Sequence, residues 1–157
     1  MSAAGTFGNG KAPWWYWAVA ILALVWMLFG VLAWCMDLMM TPAQLAQLPD
    51  GQRQLYAQRP PWLFWVYGVA VFSGLFGAIG LLLRKRWTTS LFLLSLAAIV
   101  LQFGYTFLAM HALELLGPAT ALPFPIVIFA FGVFLLWFAR YARRHGWMAE
   151  TPTGALA

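Results

Sequence analysis

Three observations predict an all-α membrane protein, an antiparallel bundle of four transmembrane helices. The composition is apolar and almost uncharged, four long stretches carry no charge at all, and basic residues collect at alternate ends of those stretches. Of 157 residues, 64% are hydrophobic, 18% aromatic and only 8% charged. A water-facing surface ordinarily carries about 25% charged side chains, so a soluble globule is nearly excluded. Disorder is excluded because disordered chains are poor in apolar residues.

The four uncharged stretches are 14–36, 62–83, 89–110 and 122–139. Crossing about 30 Å of hydrocarbon takes about 20 helical residues rising about 1.5 Å each. The first three reach that length, and the fourth reaches it if it continues through Tyr141 and Ala142. Helices are required because a backbone in lipid must satisfy its own hydrogen bonds, and the strand alternation of a membrane β-barrel is missing. Proline costs nothing extra in a first turn, where the amide has no partner, so Pro13, Pro61 and Pro125 read as helix starters. Gly117-Pro118 reads as the stop after the third span. The first apolar run exceeds a signal core of about 7–15 residues, so it is expected to stay in the mature chain. Residues 1–12 and 149–157 are expected to be flexible cytoplasmic ends around a membrane domain, 13–148.

Sidedness follows from charge. Lys11, Arg84, Lys85, Arg86, Arg140, Arg143 and Arg144 fall on one side of an alternating four-span chain, against Arg53 and Arg59 on the other. Basic residues near span ends stay cytoplasmic, so both termini are expected inside and the 37–61 and 111–123 segments outside. Tryptophans agree, with Trp14, Trp15, Trp17, Trp87, Trp137 and Trp147 near the inner interface and Trp34, Trp62 and Trp65 near the outer one. An indole suits that zone because its ring is apolar and its N–H needs a polar partner. Trp26 alone lies mid-span and needs a partner helix or lipid. The basic balance is thus an anchoring pattern, and no nucleic-acid partner is expected.

The outer 37–61 segment reads as short amphipathic helices. Thr41 is a plausible N-cap with Pro42 at the first helical position, and Asp50 reads as the cap of a second helix presenting Leu55 and Tyr56. Within the second span, Ala70, Gly74 and Ala78 repeat every four residues, with Ser73 and Gly77 beside them. Small residues at that interval let another backbone approach closely, the usual driver of association in lipid. Spacing leaves the partner open between the first span, the third span and a second copy.

Polar groups inside the spans are the functional pointers, since burying them in hydrocarbon is costly. Gln102, Tyr105 and Thr106 share one helical face; they read as interhelical hydrogen-bonding groups or as a pathway for a small polar solute. Asp37, His111 and Glu114 lie at similar depth at the outer end. They read as solvated helix-end residues, with Glu114 beside Arg59, or as a proton-coupling or ion site. Cys35 is alone, paired axial ligands within the membrane are missing, and no phosphate loop or nucleophile elbow is present. Neither enzymatic activity nor a resident cofactor or metal is expected.

The pattern Met40-Thr41-Pro42 through Leu48-Pro49, then Gln52-Arg53-Gln54-Leu55-Tyr56 and Pro61-Trp62, resembles small four-helix bacterial inner-membrane proteins often labelled "sugar transporter". So do Ala70-Val71-Phe72-Ser73-Gly74 with Gly77, Leu81 to Lys85, Leu94-Ser95, Leu136-Trp137-Phe138-Ala139-Arg140 and Gly146-Trp147. The resemblance implies the inner (cytoplasmic) membrane and transport of a small solute of the sugar type; a four-helix monomer has little room for a cavity, so transport is expected to require oligomerisation. The alternative is a non-enzymatic accessory or assembly subunit of a larger membrane complex, bound through the small-residue groove and the outer segment. A third reading, a membrane enzyme or metal protein, centres on His111.

Overall fold

The computed structural model describes residues 11–148. Among them the protein is all-helical, without strands. In chain order the helices are α1 (Trp14–Leu38), α2 (Pro42–Ala46), α3 (Asp50–Gln58), α4 (Pro61–Leu82), α5 (Thr88–Leu108), α6 (Ala112–Leu116), α7 (Pro118–Ala121) and α8 (Pro123–Arg144). The described residues contain four helical stretches long and apolar enough to cross a membrane: α1, α4, α5, and α7 with α8. The flanks expected to be flexible lie, but for residues 11 and 12, outside the described residues.

Local chemistry sets the helix ends. Pro13 and Pro60 take extended backbone ahead of α1 and α4, and Pro61 opens α4 as expected. Thr41 caps α2 reciprocally: its Oγ1 accepts from the Gln44 N–H, and Gln44 Oε1 accepts from the Thr41 N–H at 2.9 Å. Two expected ends fall elsewhere. Pro49, not Asp50, occupies the cap position of α3, and the Asp50 carboxylate pairs instead with Arg53 at 2.5 Å. The last long helix begins at Pro123, two residues before Pro125, because both prolines fit a first turn whose amides lack partners.

The third span also stops early. α5 ends at Leu108, and His111, with φ 53°, takes the left-handed backbone that breaks it. Gly117-Pro118 therefore separates α6 from α7 instead of ending α5. At the opposite end, Gly146 (φ 71°) lets the chain double back after α8, with the Trp147 N–H donating to the Ala142 carbonyl at 3.0 Å. Trp147 is thereby laid against Trp15, Tyr16 and Tyr141. Arg84 (φ 57°) makes the equivalent turn after α4, and its Nε donates to the Trp147 carbonyl.

Side-chain size decides how closely the long helices approach. All five small residues singled out on α4, namely Ala70, Ser73, Gly74, Gly77 and Ala78, are buried. Their partners are the chain's own helices: a Cβ placed on Gly74 would lie 2.6 Å from Met27 Sδ on α1, and one on Gly77 would lie 2.7 Å from the Phe92 ring on α5. Ser95 Oγ on α5 donates to the Ala70 carbonyl at 2.7 Å. Tyr16 on α1 donates to the Leu81 carbonyl at 2.5 Å, and the Trp34 indole lies over Gly68. α1 and α8 meet differently, through rings: Trp26 on Phe131 at 4.9 Å, and Trp15 and Tyr16 on Phe138 at 5.8 and 5.6 Å. Trp26 thus has its partner helix.

Candidate functional site

A cavity of about 80 Å³ opens near the middle of the four long helices. It lies beside the Trp26–Phe131 contact between α1 and α8, with Gly30 and Gly132 on its wall. Trp26, Tyr67, Ser95, Gln102, Phe103 and Gly132 are among its walls. The space is large enough for a few water-sized molecules. Ser95 is committed to Ala70, whereas the Gln102 amide and the Tyr67 hydroxyl have no hydrogen-bond partner among the described residues. An amide offers two donors and an acceptor, which suits a small polar guest in an otherwise apolar chamber.

The face formed by Gln102, Tyr105 and Thr106 divides in the folded chain. Gln102 reaches the cavity; Tyr105 packs edge-on against Trp62, with centroids 4.9 Å apart; and Thr106 Oγ1 donates back to the Gln102 carbonyl at 2.8 Å. Back-bonding of this kind is the usual fate of a helical threonine.

A second polar cluster ties α1 to α3. The Asp37 carboxylate, in the last turn of α1, accepts from the Tyr56 hydroxyl at 2.6 Å through Oδ1 and from Arg59 at 2.7 Å through Oδ2. Asp37 is only 8% exposed, so both oxygens need these donors. The Arg59 guanidinium also lies over the Tyr56 ring, 4.6 Å from its centre. Burial, reinforced by the bond to Asp37 and by its charge, pushes the Tyr56 hydroxyl up to about 12 from the usual 10.0, against the opposing pull of Arg59. Beside the cluster an open cleft of about 240 Å³ is walled by Asp37, Thr41, Leu45, Tyr56 and Arg59.

Asp37, His111 and Glu114 are not brought together as a set. His111 Nδ1 lies 3.6 Å from Glu114 Oε1 on exposed side chains, and Arg59 bonds Asp37, where the sequence had suggested Glu114. Among the described residues no three His, Cys, Asp or Glu side chains are grouped to hold a metal ion. The short helices at this end touch one another, since a Cβ on Gly51 of α3 would lie 2.5 Å from the Leu115 carbonyl of α6.

Sequence reasoning missed Tyr67 and Ser95 as cavity residues, and Tyr56 as a ligand of Asp37. Tyr67 follows a run of aromatic and apolar residues with no spacing to single it out, and Ser95 stands alone among apolar neighbours in its span. Comparisons with protein-family models, with curated proteins and with solved structures return no match.

Proposed function

We propose that the chain is a four-span protein of the bacterial inner membrane that conveys a small polar solute by way of the cavity at Gln102. Insertion in lipid is supported by what covers the helices: Ile21, Leu22, Leu28, Phe29 and Leu32 of α1 are all more than half exposed or nearly so, a surface that water would penalise heavily. The antiparallel bundle is supported by the order of contacts, since Tyr16, Met27 and Trp34 on α1 meet Leu81, Gly74 and Gly68 on α4 in reverse sequence. Both ends on the cytoplasmic side follows from the seven-to-two division of basic residues.

The observation that carries the transport reading is the cavity itself, bordered by an amide without a hydrogen-bond partner among the described residues and shared by all four long helices. A functional polar residue at that depth is the default interpretation of such an expensive placement. The likeness to small "sugar transporter" proteins points the same way. A cavity of about 80 Å³ is too small for a sugar, so a solute of that size needs the helices around it to separate. The test is flux into proteoliposomes of glycerol, urea and hexoses, with wild type against Gln102→Leu. Saturable uptake of at least one solute, abolished by Gln102→Leu, is expected; no uptake of any of them overturns the reading.

The accessory-subunit reading is favoured by one observation, the broad apolar face that α1 leaves uncovered. The small-residue groove is filled from within, so a partner would sit on α1. A stoichiometric protein retained in mild detergent and released by Phe29→Glu would favour this alternative.

A further inference from the structure

We infer that the exposed face of α8 near its C-terminal end binds the headgroup of an anionic phospholipid. The inference rests on the four-span membrane reading and concerns a surface that the transport reading leaves unused. Arg140 and Arg144 are one turn apart, about 6 Å along the helix axis, and both are exposed. Neither has an ion-pair partner among the described residues. The acidic residues described are Asp37, Asp50 and Glu114; Asp37 is held by Arg59 and Tyr56, Asp50 by Arg53, and Glu114 lies by His111. No described carboxylate therefore competes for the two guanidinium groups.

The groove between them, about 270 Å³, is walled by Val133, Leu136, Trp137, Arg140, Tyr141 and Arg144. Its lining combines three chemistries: apolar Val133 and Leu136, the Trp137 and Tyr141 rings stacked 5.4 Å apart at 28°, and Arg140 and Arg144 on either side of Tyr141 in the sequence. A phospholipid presents the same three: acyl chain, glycerol ester region, phosphate. Guanidinium groups bind phosphate oxygens through paired, charge-assisted hydrogen bonds, and indole and phenol rings prefer the ester level of a bilayer. Arg143 does not border the groove and supplies a cation for the negative end of the helix dipole.

The test is native mass spectrometry of the full chain in detergent, with added phosphatidylglycerol or phosphatidylcholine. Wild type is expected to retain phosphatidylglycerol preferentially. The double variant Arg140→Gln with Arg144→Gln should retain it roughly 25-fold less well, the loss of two surface guanidinium contacts, while Arg143→Gln retains it fully. Equal retention of the two lipids by wild type overturns the inference without reliance on any variant, as does equal phosphatidylglycerol retention by the double variant. Displacement by millimolar inorganic phosphate would assign the site to a free anion and overturn the lipid. Alkaline carbonate extraction separates this from the underlying reading: a chain that stays in membranes but shows no lipid preference defeats the headgroup site alone. A chain released by carbonate defeats both.

Discussion

The Tyr56 hydroxyl donates to Asp37 Oδ1 across 2.6 Å, fastening the short helix α3 to the last turn of α1. Without this bond and the neighbouring one from Arg59, a nearly buried carboxylate would face the negative end of its own helix dipole. Asp37→Ala should therefore cost about 2 kcal/mol, and Tyr56→Phe about 1 kcal/mol. Thermal unfolding in detergent measures both, and an unchanged midpoint for Asp37→Ala would remove the clamp as a stabilising feature.

The same pair sets an alkaline limit. Because the folded state raises the Tyr56 pKa from 10.0 to about 12, it favours the neutral phenol. The contribution is fully present below pH 10 and is lost as pH rises through about 12. Wild type should lose stability relative to Tyr56→Phe across that window, and below it the difference between them should stay constant. Parallel unfolding titrations of the two proteins decide it.

Gly77 and Gly74 should respond unequally to alanine. A Cβ at Gly77 meets the Phe92 ring, which is only 2% exposed and has nowhere to turn, whereas one at Gly74 meets chiefly the flexible end of Met27. Gly77→Ala is expected to cost about 2 kcal/mol and Gly74→Ala about 1 kcal/mol. The reverse order of midpoints would contradict the packing of α4 on α5.

Gly146 carries a positive φ of 71°, and alanine there should cost about 1 kcal/mol. The loss should come with faster proteolysis of the C-terminal end, since the turn is what seats Trp147 on α1. Equal proteolysis of wild type and variant would refute that coupling.

Topology has a direct readout. In a Cys35→Ser background, a cysteine replacing Arg86 should be shielded from an impermeant maleimide added to intact cells, while one replacing Gln54 should react. Labelling of the Arg86 position from outside would invert the assigned sidedness.

The long helices were legible because their chemistry is local. Charge-free runs and prolines set α1 and α4 to within two residues, and the Thr41-Pro42 pair announced α2 with its cap. What escaped depended on distant neighbours. Nothing in the string His111-Ala112 signals a left-handed residue, so the early end of α5 was hidden. The face of Gln102, Tyr105 and Thr106 was correctly read as one side of a helix. Only the opposing helices decide that the first meets a cavity, the second an indole and the third its own backbone. Likewise Asp37 advertised itself as a rare charge, but its donors come from a helix that follows nineteen residues later in the case of Tyr56.

Two of the seams between long helices are zipped by glycine, alanine and serine, whereas aromatic ring contacts join α1 to α8. Rings slide and tilt over one another without a backbone hydrogen bond being lost, so parting α8 from α1 disturbs far less than prising α4 from either neighbour. Trp26 and Phe131 are accordingly the latch side of the molecule's door: a widening of the cavity would cost least where these two rings meet.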